Sequence, residues 1–366
     1  MEFSTRDTNL SPVMDPRTPF KFPGGDIRLK VTYGGEVIIG SVCSEAMASA
    51  CKVWKNFVYP PWAEQAPVNA GTATCEAASK TSTKNGCQSA ASPASVDCRS
   101  RKIHVQELDF REDDGESLLI LLNIAHGKFE DVPSELPYSM LVSIAVLCDQ
   151  YDCVKITKPW IEDWLKGEDV LSLKPGNENW LFITWVFGRV EVFEELAIYL
   201  IRTIRIDDDG YCRNTQDTPL AEPLPAGIIE PIASIRKEVL RQLLSPAYKD
   251  YELYDRMRYP ICRRGKTKES QLACDASIHQ SLKTSLERIG LLPMKHHKEI
   301  QYNVNELCGR LRSITIERAD PTHMCAPPYK YSAHFRQTMI NIPSPMKRFH
   351  MEHMRMQREA LDLDSG

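Results

Sequence analysis

Five side chains in the last third of the chain have the types to bind a soft metal: Cys262, Cys274, Cys308, His323 and Cys325. Zinc takes four such thiolate or imidazole ligands in a tetrahedral array. The spacing argues the other way, because the gap from Cys262 to Cys274 is long and His323-Met324-Cys325 is tight. The alternative for each is a buried or surface thiol. Cys75, Cys87 and Cys98 follow one another at steps of 12 and 11 residues, which matches no common ligand set. No GxSxG, HExxH, P-loop or GxGxxG string occurs. Asp149 with Tyr151 has the types of an acid–base pair, but residues two apart on a helix do not share a face. His126, ahead of Gly127, reads as a helix-end residue that complements the dipole and caps carbonyls. The sequence therefore predicts no enzyme, no catalytic residue, no cofactor and no resident metal. The five cysteine and histidine positions are the set that would hold a metal if one bound.

The balance of charge excludes other classes. A net charge of −4 and a pI near 6.2 argue against a whole-chain basic surface and so against nucleic acid as a partner. The basic loop Arg263-Arg264-Gly265-Lys266-Thr267-Lys268 and the segment PMKRFHMEHMRMQRE are short charge runs with no aromatic stacking platform, and such runs are usually solvated, although the methionines and arginines of the second fit a partner helix about as well. No apolar run approaches the ~20 residues that span a bilayer, and MEFSTRDTNLSPVMDPR lacks an apolar signal core. The expectation is an intracellular protein of the cytoplasm or nucleus with no membrane partner, whose 12 cysteines are mostly reduced.

The elements that would position these residues follow from periodicity. Residues 1–24 are polar and proline-bearing, a flexible lead-in. Ile27, Leu29 and Val31 alternate with polar residues, Gly34-Gly35 gives a two-residue hairpin, and 36–42 is the second strand. Residues 44–58 carry a helical stripe that Ser44 can cap. The stretch 64–101 has no apolar periodicity and reads as a disordered insertion. A strand returns at Ile103–Leu108. Asp113 or Asp114 then caps a helix ending at Gly127, and helices follow over 137–151 and 154–165. A helical region spans 167–325, with a linker at 207–227 and a long helix over 227–257 containing Pro231 and Pro246. Residues 326–366 read as an extended or disordered tail.

This order is an α+β arrangement. At residue level it resembles a BTB/POZ domain of the kind common in fungal proteins with a helical C-terminal extension. GGDIRLKVTYGGEVIIGSVCSEAM is similar to that family's paired first strands, and ACKVWKNF to its Ser-Pro-Val-Phe helix start. The segment ESLLILLNIAHGKFEDVP, followed by LVSIAVLCDQYDCVKITKPWIEDWL, is the most specific match, with Asp149-Gln150-Tyr151 in place of the family's Asp-Lys-Tyr. The resemblance covers about 26–165, and the domain is drawn at 25–166. The Ser-Pro and the histidine that many members place after the second strand are missing.

The resemblance implies a protein–protein interaction module that associates with itself or with other BTB proteins, and in some relatives recruits a cullin-3 ubiquitin ligase. Apolar and aromatic surface residues would anchor such contacts. The candidates are Trp54, Phe57 and Tyr59 beside the insertion, and Phe129, Tyr138 and Met140, where relatives are expected to meet a cullin. Each has an intramolecular core role as its alternative. A second reading makes the chain a transcription-associated protein that oligomerises through the BTB domain and works close to nucleic acid.

Overall fold

The structure, a computed structural model, describes residues 19–61, 105–320, 322, 325 and 329–362. The expected insertion at 64–101 and His323 lie outside the described residues. The described chain falls into two compact units. The first ends at Pro133 and takes in Gln150–Ile156; the second holds Ser134–Asp149 and the chain from Thr157 onward.

The first unit is mixed α/β, built on a three-stranded sheet in the order β2-β1-β3. Strand β1 (Ile27–Tyr33) pairs antiparallel with β2 (Glu36–Val42) across the Gly34-Gly35 turn, in the register Tyr33↔Glu36. Both glycines have positive φ, +60° and +84°, as the turn that matches strand twist requires. Ile27, Leu29 and Val31 are buried as the alternation predicts. Strand β3 (Glu107–Phe110) lies parallel to β1, with Leu29 opposite Leu108. It begins later than the expected Ile103, and 101–104 lie outside the described residues.

The stretch 44–58, one continuous stripe by its periodicity and a helix pair by the resemblance, is two helices, α1 (Ser44–Ala50) and α2 (Lys52–Val58). Cys51 breaks them. Its backbone is extended (φ −157°) and its Sγ accepts the Trp54 N–H at 3.4 Å, so it is the N-cap of α2. The apolar stripe continues through both helices and hides the break. Ser44 is not a cap; its N–H and Oγ both donate to the Asp26 carboxylate at 2.7 Å, fixing the start of α1 to the start of β1. Helix α3 (Gly115–Ala125) is capped by Asp114, which accepts the Ser117 N–H at 2.9 Å. The last residues of the expected lead-in are anchored, not loose. Phe20 and Phe22 are buried, Phe20 O accepts the Ser41 N–H at 2.9 Å, and the Phe22 N–H donates to Ser41 O at 3.1 Å. A Cβ on Gly40 would come within 2.5 Å of Phe20 O, so only glycine permits this approach.

The second unit is helical. Helix α4 (Tyr138–Tyr151) crosses from it into the first. It continues with α5 (Ile161–Trp164), α6 (Glu168–Leu171), α7 (Trp180–Val186), α8 (Val190–Thr203), α9 (Ile229–Asp255), α10 (Lys268–Arg288) and α11 (Val304–Arg312), closing with α12 (Tyr329–Ile340) and α13 (Arg348–Ala360). The expected helix 154–165 is reduced to a 3-10 turn and the four-residue α5, with Pro159 between them. The expected linker 207–227 carries the end of a small hairpin, β4 (Arg205–Ile206) and β5 (Cys212–Arg213). Asn214 closes it by accepting from Gln216 N–H, Thr218 N–H and Thr218 Oγ1. The basic loop is cut short because Thr267 caps α10 in a capping box with Ser270. The expected tail is also corrected, since residues 329–340 and 348–360 are helical. Helix α13 is held by His350, fully buried, whose Nδ1 accepts the Lys347 N–H at 3.1 Å and whose Nε2 lies 2.9 Å from Ala226 O. It also stacks His353 on Trp185 at 3.8 Å.

Candidate functional site

In the first unit an aromatic cluster closes around Tyr151. Its ring meets Phe57 and Phe110 edge-on at 6.1 and 5.7 Å and tilts against Trp54 at 5.8 Å. Its hydroxyl donates to Asp113 Oδ2 at 2.5 Å. The sequence left open whether Asp113 or Asp114 caps α3. Asp114 does so, which releases Asp113 to accept from Tyr151, with Gln150 Nε2 at 3.4 Å. Asp149 is therefore not the carboxylate that Tyr151 bonds. Burial raises the Asp113 carboxyl above its usual value, against the hydrogen bonds from Tyr151 and Gln150. Burial, with Asp113 adding to it, pushes the Tyr151 hydroxyl far above the ordinary phenol value. A phenol in that state remains a donor at neutral pH and cannot act as a base. The groove over this cluster, about 610 Å³, is lined by Phe57, Phe110 and Tyr151 and by the charged Asp109, Arg111 and Glu112.

His126 joins α3 to the end of β2. Its Nε2 accepts the Cys43 N–H at 3.0 Å and its Nδ1 lies 2.8 Å from Leu122 O. An N–H donor at Nε2 means that this nitrogen carries no proton, so the imidazole is neutral with its hydrogen on Nδ1. Burial, partly countered by the Leu122 carbonyl, lowers its pKa from the ordinary value. His126 thus caps a carbonyl as expected, but as a neutral ring rather than as a charge on the helix dipole. Phe22 stacks on it at 4.0 Å.

The interface candidates fall into different settings. Trp54 is wholly buried. Tyr59 is half-buried, with its hydroxyl on Ser44 Oγ at 3.2 Å. Phe57 and Phe129 are exposed, at 41% and 57%. In the second unit Tyr138 is half-buried, stacks on Trp180 and reaches Asn179 Oδ1 at 3.4 Å; burial pushes its hydroxyl up to about 12. Met140 is half-buried.

Of the five metal-capable positions, the structure brings together Cys262, Cys274 and Cys325, whose sulfurs all lie within 4.8 Å of one another. Cys274 Sγ and Cys325 Sγ are 3.3 Å apart. Cys308 is buried on α11 and does not join them. Cys262 sits on the loop before α10, Cys274 on the second turn of α10, and Cys325 between α11 and α12. Tyr254, Ile278, Met257, Ile261 and Ile316 pack around them. Asp275, fully buried beside Cys274, accepts the N–H groups of Ile261 at 2.6 Å and Cys262 at 3.0 Å and so fixes the loop that carries Cys262. Burial favours the neutral Cys262 thiol, but hydrogen bonds from the Arg264 and Gly265 N–H groups and from the other two cysteines outweigh it, and its pKa falls below the ordinary thiol value. Burial and the neighbouring sulfurs push Cys274 up to about 12, so Cys262 ionises first. Sequence reasoning missed Asp275, which no motif marks, and the backbone donors to Cys262, which Gly265 three residues on could have signalled.

A cavity of about 450 Å³ in the second unit is lined by Asp207, Asp208, Lys237, His297, Lys298 and Glu299 among others. Arg236 also lines it, but its Nε and Nη2 donate to Ile204 O at 3.1 Å and Tyr302 O at 2.9 Å, so it binds the chain to itself. Burial lowers its pKa to about 10.

No family model matches this chain, and neither does any curated protein or solved structure.

Proposed function

We propose that the first unit is a BTB/POZ-like protein–protein interaction module that associates with itself or with other BTB proteins and serves as an adaptor for a cullin-3 ubiquitin ligase. The observation that carries this reading is Phe129. It lies on the one-turn helix Phe129–Asp131 just after α3, 57% exposed, in the stretch where relatives are expected to meet a cullin. A largely exposed aromatic side chain on a short helical turn is the kind of anchor that dominates an interface.

Two further features support the resemblance. The element order of two hairpin strands, two helices, a third strand and α3 is the order it implies, and β3 returns to pair with β1 as an interrupted domain would require. Helix α2 starts at Lys52 with Cys51 as its N-cap. The family's Ser-Pro would put serine at that cap and proline at the first helical position, the places each prefers. Cys51 and Lys52 fill the same two roles without the proline.

The test is a pull-down with the intact chain. Cullin-3 should be retained by the parent chain, and Phe129→Ala should lower retention by about tenfold or more, as loss of an interface anchor does. Because more than half of the side chain is exposed, the variant should shift the urea midpoint little. Retention unchanged in Phe129→Ala would place the contact elsewhere. No cullin bound by the parent would remove the adaptor role and leave association, which light scattering would report as a mass above that of one chain.

A further inference from the structure

We propose that Cys262, Cys274 and Cys325 are three ligands of a zinc ion that staples the loop before α10, the body of α10 and the segment between α11 and α12. Zinc–thiolate bonds of about 2.3 Å in a tetrahedron place sulfurs about 3.8 Å apart. Cys274 and Cys325 stand 3.3 Å apart and all three sulfurs lie within 4.8 Å of one another, so the observed spacing is compatible with that value. A disulfide is the other chemistry that gathers sulfurs, but it uses two and would leave the third behind.

The surroundings are those of a thiolate metal centre. Asp275 pins the backbone at Ile261 and Cys262 with its buried carboxylate, the part that outer partners play in holding ligands in place. Tyr254, Ile278 and Ile316 pack around the sulfurs. The three ligands come from segments up to 63 residues apart, as Cys262 and Cys325 show, and the two outer ones stand on irregular chain. An ion shared between them replaces the helix-to-helix packing that such segments lack. Binding converts the three thiols to thiolates and releases their protons to solvent. The fourth tetrahedral position belongs to a water or to a side chain beyond this trio. The inference is independent of the adaptor reading, which concerns the first unit.

The test uses the full chain purified without chelator. Metal analysis should return one zinc per chain, and X-ray absorption at the zinc edge should count three sulfurs and one lighter ligand. Cys262→Ser and Cys274→Ser should each weaken zinc by at least about tenfold, since loss of outer partners alone costs that much. Cys308→Ser should leave zinc content unchanged. Should a serine variant fail to fold, the parent loaded with cobalt answers instead, by a thiolate-to-cobalt charge-transfer band sized for three sulfurs. No metal with three free thiols, a Cys274–Cys325 disulfide found by mass spectrometry, iron or copper in place of zinc, or a sulfur count of two or fewer would each overturn the proposal.

Discussion

At the scale of single residues, Tyr151 and Asp113 show how one hydrogen bond decides several assignments. The bond is short, at 2.5 Å, and both partners are shifted so that the phenol keeps its proton. Tyr151→Phe keeps the ring in its aromatic cluster but leaves Asp113 without that donor. The expected loss is about 1–3 kcal/mol, the usual penalty for stranding a partly buried acceptor, and urea unfolding would measure it. Combining the change with Asp113→Ala should cost less than the two single losses added together, because both remove the same interaction. This pair was only half legible in the sequence. Tyr151 was placed on a helix, but its partner 38 positions away could be found only once Asp114 was known to take the cap. The cysteine trio shows the same limit. The residue types stood out, but which three of five converge depends on how α9 to α12 fold, and sequence spacing does not carry that.

At the scale of elements, α13 depends on one glycine. Gly188 has φ +68°, and a Cβ there would lie 2.7 Å from both Met354 O and Arg358 N of α13. Gly188→Ala therefore meets a left-handed backbone and a collision with a helix backbone together. We expect a loss of at least about 1–3 kcal/mol from the strain alone. Amide exchange over 348–360 should accelerate more than in α10, and mass spectrometry would show where the loss falls. Composition left this helix undecided. Its methionines and basic residues fit a partner helix about as well as a solvated end, and the side chains that hold it are His350 and Met354, four apart and buried. Elements with a clean period were legible, as β1 was from Ile27, Leu29 and Val31. The break at Cys51 was not legible from the period, because Met47 and Trp54 keep the stripe in phase across it, and only the likeness of ACKVWKNF to a helix start pointed to it.

For the whole molecule, the histidines set an acid limit. His126, His297 and His350 all have folded-state pKa values below the ordinary 6.5, each chiefly through burial. From 6.5 down to those lower values the unfolded chain holds more protons than the native one, so stability must fall as the pH drops through that window. Above it these three groups contribute no slope. Asp113 and Glu168 act in the opposite sense, since burial raises both from ordinary values of 3.8 and 4.5 and the native state takes up their protons first. Urea midpoints should therefore stay close between pH 7.5 and 6.5 and descend from 6.5 to 5.5, and His126→Gln should flatten that descent. Among the described residues no helix is long and apolar enough to cross a membrane. One consequence of the anchored segment Phe20–Phe22 concerns how copies of this chain can meet. A bare outer strand offers its backbone to any passing strand, which is the usual route to sheet extension between molecules and to aggregation. Here the backbone of Phe20 and Phe22 already occupies the Ser41 N–H and C=O. The β2 margin at Ser41 is closed by the chain itself, and association through that end would first have to peel two buried phenylalanines from the core.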